Sequence, residues 1–185
     1  AASARRRYAI VGTGSRHEMY REAILRQYKE HAELVGLCDC NAGRLELSRA
    51  RAAAAGASVP GYAAGDFEKM IRETRPGTVI VTTVDGTHDD YIVRAMDAGC
   101  DVVTEKPMTV TAEKCQRILD ARRRTGRRIR VTFNYRYSPP RTQVKELLMS
   151  GAIGDVLSVD FHWLLNTVHG ADYFRRWHSR KENSG

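Results

Sequence analysis

Short apolar runs punctuated by glycine alternate along this chain with stretches in which apolar residues recur every three or four positions. The runs Tyr8–Val11, Glu33–Cys38, Thr78–Thr83, Cys100–Thr104 and Ile129–Phe133 read as buried strands. Between them lie predicted helices. The first, over Glu18–Tyr28, spaces Met19, Ala23, Ile24 and Tyr28. The second runs Leu45–Ala55 and stops at Gly56. A third carries Phe67, Met70 and Ile71 on one stripe, with Asp66 as its cap and Pro76 and Gly77 as its end. Asp89–Ala98 closes at Gly99, and a last helix runs from Thr111 to near Gly126. The strands do not alternate cleanly, so both of their faces are covered. That pattern predicts an α/β fold, a doubly wound parallel sheet with helices on either side.

The rhythm breaks at Ser138–Pro140, which predicts a first domain over 1–137 and a second over 138–185. A helix over about Arg141–Ser150 is followed by a predicted strand, Val156–Leu165. There Leu157, Val159, Phe161, Trp163 and Leu165 face one way and Ser158, Asp160 and His162 the other. This is the signature of a sheet with one buried face. One strand is not a sheet, so the second domain is expected to be incomplete. The chain opens on Ala1–Ala4 without an initiating Met and stops after Lys181–Gly185, and is expected to be a piece of a longer protein.

Composition narrows the class. Hydrophobic residues make up 42% and charged residues 28%, which excludes collagen-like and disordered chains. No apolar run approaches the roughly 20 residues that span a bilayer, so no membrane partner is expected. The net charge of +8 favours anionic ligands. The clusters Arg5–Arg7 and Arg122–Arg124, with Arg127, Arg128 and Arg130, lack interleaved aromatics and read as solvated surface, not a nucleic-acid interface. The four cysteines fit neither a disulfide framework nor a metal finger. They predict buried reduced thiols, a cytoplasmic location and no metal.

Gly12-Thr13-Gly14 follows the first strand directly and opens the first helix. Gly12 permits the tight turn and Gly14 lets backbone approach a pyrophosphate. The third glycine of a G-x-G-x-x-G loop is replaced by His17, where helix and strand are expected to be slightly displaced. Asp39, at the end of the second strand, can accept hydrogen bonds from an adenosine ribose. Its charge also repels a 2′-phosphate, whereas Arg44 could attract one or stack on adenine. NAD is the expected cofactor, with NADP possible. Thr104–Pro107 (TEKP) ends a strand at the mouth of the same cleft. Pro107 holds Lys106 extended. A partly buried ammonium there can hydrogen-bond a substrate hydroxyl and exchange its proton.

Five segments, Ile10–Arg16 (IVGTGSR), Cys38–Asn41 (CDCN) with Arg44, Val81–His88 (VTTVDGTH), Thr104–Pro107 (TEKP) and Phe133–Arg136 (FNYR), stand in the order found in the glucose-fructose oxidoreductase/inositol dehydrogenase (Gfo/Idh/MocA) family. From about residue 8 onward the chain resembles that family. The resemblance implies a Rossmann domain, then an α/β domain with an open, mostly antiparallel sheet through which copies associate. It implies an NAD(P)-dependent oxidoreductase acting on a sugar, polyol or related hydroxy compound. Residue by residue, it places Gly12, Gly14, Ser15 and Arg16 on the pyrophosphate and Asp39 on the adenosine ribose. Thr82, Thr83 and His88 fall along the path to nicotinamide. Glu105 and Lys106 fall at the reaction centre, with Lys106 catalytic, and Asn134 and Arg136 beside cofactor or substrate. The family's helix with a catalytic Asp and His has no match in these 185 residues, so the chain alone is expected to be inactive. Two alternatives stand beside this reading: an NAD-dependent glycosidase of the same fold, and a non-catalytic nucleotide-binding module.

Overall fold

A computed structural model describes residues 4–184; the expectation drawn from the opening residues Ala1–Ser3, and Gly185, lie outside the described residues. The apolar runs become parallel strands: β1 Arg6–Val11, β2 Ala32–Asp39, β4 Thr78–Val81, β5 Asp101–Glu105 and β6 Ile129–Thr132. A sixth strand, β3 Gly61–Ala63, pairs with the end of β2. Three residues long and not apolar, it gives no periodic signal, and sequence reasoning missed it. The sheet order is β3-β2-β1-β4-β5-β6. The chain therefore reverses direction across the sheet between β1 and β4, the place where doubly wound folds open a ligand crevice at the carboxyl ends of their strands.

Both faces of the sheet are buried. Ala9, Val11, Val79, Val81 and Val102 pack on one side against Phe67, Met70, Ile92, Met96 and Ile118. These last belong to helices α3 Phe67–Thr74, α4 His88–Asp97 and α5 Ala112–Thr125. Ile10, Leu37 and Ile80 point the other way, onto Ile24, Leu45 and Ala52. Ile24 follows α1 His17–Glu22, and Leu45 and Ala52 lie on α2 Ala42–Ala54. Neighbouring positions thus serve different cores, which is why the strands read as continuous apolar runs.

Helix ends follow local chemistry, with exceptions. Asn41 and Thr111 accept the Arg44 and Lys114 N–H groups and cap α2 and α5. Asp66 stands at the cap position of α3 but makes no capping bond, and α3 ends on Arg75 in the left-handed region at φ 45°. The first predicted helix divides: after α1, residues Ala23–Gln27 widen into a π-turn, with Tyr28 N–H reaching the Ala23 carbonyl at 2.8 Å. The third predicted strand stops at Val81, leaving Thr82 and Thr83 in the crevice loop.

Beyond residue 138 come α6 Pro139–Met149 and α7 Thr167–Arg175. The strand expected over Val156–Leu165 is absent: the segment is irregular, and its apolar side chains are exposed. An alternating pattern supplies a face, but a strand exists only through a ladder. No neighbouring strand among the described residues offers that segment one. Farther on, Asn183 accepts the Gly86 N–H at 3.1 Å, holding the end of the chain against the loop after β4.

Candidate functional site

The β1–β4 junction is built around one glycine. Gly12 has φ +91°, and a Cβ there would stand 2.6 Å from the carbonyl carbon of Thr82 and the nitrogen of Thr83. The Thr82 hydroxyl donates to the Gly12 carbonyl at 2.6 Å, fastening the two strand ends together. Gly14 differs: a Cβ there would meet no protein atom, so nothing within the fold requires a glycine. The N–H groups of Gly14, Ser15 and Arg16 carry no hydrogen bond among the described residues. Three successive amides beside an open space fit a pyrophosphate, and that is the test the loop passes.

Asp39 is buried at the end of β2. Its carboxylate accepts from the Thr13 backbone N–H, from the Thr13 hydroxyl at 2.8 Å and from the Asn41 N–H at 2.7 Å. Burial pushes its pKa up, but the bonds from Asn41 and Thr13 outweigh it and hold the group below the ordinary aspartate value. Asp39 is therefore a fixed carboxylate beside the loop. Arg44 lies one turn into α2 with its side chain exposed.

His17 occupies the third glycine's place as a buried bridge. Nδ1 contacts the Gly14 carbonyl, and Nε2 lies 2.8 Å from the Ser48 hydroxyl on α2. The imidazole thus wedges between loop and helix. Its burial lowers its pKa, and the charge of Arg21 acts in the same direction.

The remaining expected residues line the strand ends. Thr83 is half-buried and its hydroxyl accepts from Thr87 at 2.9 Å. His88 is 1% exposed; its ring nitrogens lie 2.9 Å from the Pro107 carbonyl and 3.1 Å from that of Thr83. It ties the loop after β4 to the segment after β5. The Lys106–Pro107 bond is cis. Lys106 itself is exposed, so the partial burial expected for its ammonium is not present. Glu105, buried, pairs with Arg16 at 2.9 Å and accepts the Tyr20 hydroxyl at 2.6 Å. Ser15 is exposed. Asn134 and Arg136 are also exposed, on a turn after β6, with the Arg136 guanidinium 5.6 Å from the centre of the Phe133 ring.

Sequence reasoning missed Thr13, Tyr20 and Thr132. Tyr20 had a signal: it follows Arg16 by four positions and so shares its helical face. The cysteines divide. Burial pushes the Cys38 and Cys100 thiols up to about 12 and about 11, but Cys40 is exposed and Cys115 half-buried, against the expectation that all four are buried. Among the described residues no group of three or more His, Cys, Asp or Glu could hold a metal, and no helix is long and apolar enough to cross a membrane. Within the arginine clusters, Arg124 pairs with Asp97, Arg123 with Asp120, Arg128 with Asp101 and Arg7 with Glu33.

Comparison with known proteins agrees with the fold. Residues 6–133 match the GFO_IDH_MocA family, described as an oxidoreductase family with an NAD-binding Rossmann fold. YteT of Bacillus subtilis (strain 168), named as an oxidoreductase, is 37% identical over 177 residues, covering 95% of this chain and 41% of that protein. Inositol 2-dehydrogenase of Salmonella paratyphi B is 34% identical over 138 residues, covering 74% of this chain and 40% of that one. The WlbA dehydrogenase of Bordetella pertussis, solved with NADH and UDP-GlcNAcA, superposes with a TM-score of 0.70 at 28% identity. That match covers 82% of this chain and 44% of WlbA. The scyllo-inositol dehydrogenase of Lactobacillus casei shares the fold, with a TM-score of 0.72 at 22% identity. The chain thus spans about two fifths of the length of these relatives.

Proposed function

This chain belongs to the Gfo/Idh/MocA oxidoreductase family, with its NAD-binding Rossmann fold, and from that premise we propose that it is the cofactor-binding part of a dehydrogenase of sugars, polyols or related hydroxy compounds. The observation that carries the reading is that an open three-amide loop after β1, a fixed carboxylate at the end of β2 and an exposed lysine at the end of β5 all stand at the carboxyl ends of one parallel sheet. The relatives named as inositol 2-dehydrogenases support the substrate class.

In this reading the N–H groups of Gly14, Ser15 and Arg16 hold the pyrophosphate, and Asp39 accepts from the adenosine ribose. Thr82, Thr83, Asn134 and Arg136 border the remainder of the cofactor and the substrate. When bound, a nicotinamide cofactor supplies the acceptor or donor for hydride. Lys106 Nζ hydrogen-bonds the reacting substrate hydroxyl and moves its proton. A second domain begins at residue 138 and contributes to substrate binding and to association between copies, in a cytoplasmic enzyme.

NAD is preferred over NADP because the Asp39 carboxylate is already held ionised by its neighbours and disfavours a second anion. Calorimetric titration with each cofactor tests this. NAD is expected to bind more tightly, and Asp39→Ala to narrow the difference. Equal or tighter NADP binding by the unsubstituted chain would show that Arg44 governs the choice.

A further inference from the structure

The Glu105 carboxylate is used up by the protein itself. Its side chain is 6% exposed. Oε1 accepts the Tyr20 hydroxyl at 2.6 Å and pairs with Arg16 Nε at 2.9 Å. Oε2 lies 3.3 Å from the Lys106 N–H that donates to it. The Tyr20 oxygen lies 2.9 Å from the Thr132 hydroxyl, which donates in turn to the Thr104 carbonyl at 3.1 Å. One buried anion therefore gathers the loop after β1, the first turns of α1, and the ends of β5 and β6. Burial and the Glu105 charge together raise the Tyr20 pKa, as befits a phenol that stays a donor.

A carboxylate aimed directly at a pyrophosphate would repel it. Held behind Arg16, the same charge orients a cation and braces the loop. We infer that Glu105 is a positioning residue, whose carboxylate pins Arg16 and Tyr20 to the end of β5 and so holds the three loop amides ready for a pyrophosphate at a fixed distance from Lys106. This rests on the cofactor reading above and adds to it a residue that acts without touching the cofactor. Bonds to a buried ionised group are among the stronger ones a fold makes, and losing one leaves the charge under-satisfied.

The consequence is a particular pattern of coupling. Tyr20→Phe removes one hydroxyl and leaves packing almost unchanged. It is expected to weaken binding of NADH and of ADP-ribose roughly tenfold. Adenosine, which reaches Asp39 but carries no pyrophosphate, is expected to bind both proteins alike. Glu105→Gln is expected to weaken NADH and ADP-ribose at least as much, and the double variant no more than Glu105→Gln alone, because both changes break one arrangement. NADH is followed by its fluorescence in the full chain, the other two by competition against it, with thermal unfolding measured in parallel. Should Glu105→Gln fail to fold, the contrast between ADP-ribose and adenosine in Tyr20→Phe decides alone. The inference is overturned if Tyr20→Phe binds ADP-ribose normally, if adenosine is lost to the same degree, or if the two substitutions add. Failure of the unsubstituted chain to bind NADH at all is a separate result and would overturn the cofactor reading itself.

Discussion

In the proposed function, Lys106 is the side chain at which binding and chemistry separate. Its ammonium is exposed at the end of β5, while the groups assigned to the phosphates lie on the loop after β1. Lys106→Ala in an active full-length protein is therefore expected to lower kcat by roughly two to four powers of ten and to change NADH affinity little. Near-normal turnover would remove it from the mechanism. His17 carries a different expectation. Its folded pKa is depressed below the ordinary 6.5 because the neutral ring is buried. Between the folded and unfolded values the unfolded chain holds a proton that the folded chain does not, so stability rises with pH there. The contribution is complete above about 6.5 and is lost as pH falls through the lower folded value. Urea unfolding at pH 7.5 and pH 5.5 is expected to show this loss, and His17→Gln to flatten it; an equal slope in both proteins would refute the assignment. These residues differ in how readable they are. Gly12, Gly14 and Asp39 could be found because the loop and the end of β2 are marked by spacing along the chain. The contacts around them are harder to read: Thr13 reaches Asp39 across 26 positions, and Tyr20, though it shares a helical face with Arg16, meets Glu105 across 85.

Where β1 meets β4, two elements share one backbone position. Gly12 adopts φ +91°, and any side chain would collide with the Thr82–Thr83 peptide, which is backbone and cannot rotate away. Gly12→Ala is expected to destabilise the domain by about 3 kcal/mol or more, measured by urea unfolding. Gly14→Ala places its methyl in open space and is expected to leave stability nearly intact while weakening NADH binding; the reverse ordering would exclude a pyrophosphate there. Elements followed the sequence wherever their physics is local. Four of the five legible strands feed both cores, as Ile10 and Val11 do on opposite faces, and β6 joins one of them through Ile129. The amphipathic stripe of α3 was legible because Phe67, Met70, Ile71 and Thr74 all turn inward. Partnership decided the rest. β3 exists through its ladder to Leu37–Asp39, and Val156–Leu165 fails to be a strand for want of one. The π-turn at Ala23–Gln27 changes the hydrogen bonding of a helix without changing its apolar spacing enough to show.

Across the whole chain the two parts separate by what they bury. Both apolar cores are closed by residues no later than Ile129. The segment after residue 138 adds little to them. There Leu157 is 94% exposed, Val159 81%, Phe161 73% and Leu164 96%, while the Trp163 ring meets those of Tyr135 and Phe161 at a tilt, beside the Arg141 guanidinium. Burying one such side chain is worth roughly 1.5–3 kcal/mol, so several on one segment make a strong drive toward any cover. The 185-residue chain is therefore expected to self-associate at micromolar concentration, seen by light scattering. A shorter chain ending at Tyr137 keeps the full six-stranded sheet and both cores, so it is expected to stay monomeric and still bind NADH. The two measurements together locate the cause. Association of both chains would place the sticky surface on the Rossmann domain. A monomeric long chain with a protease-resistant tail would mean that residues 138–184 find their cover within the same molecule, against the exposure of Leu157, Val159, Phe161 and Leu164.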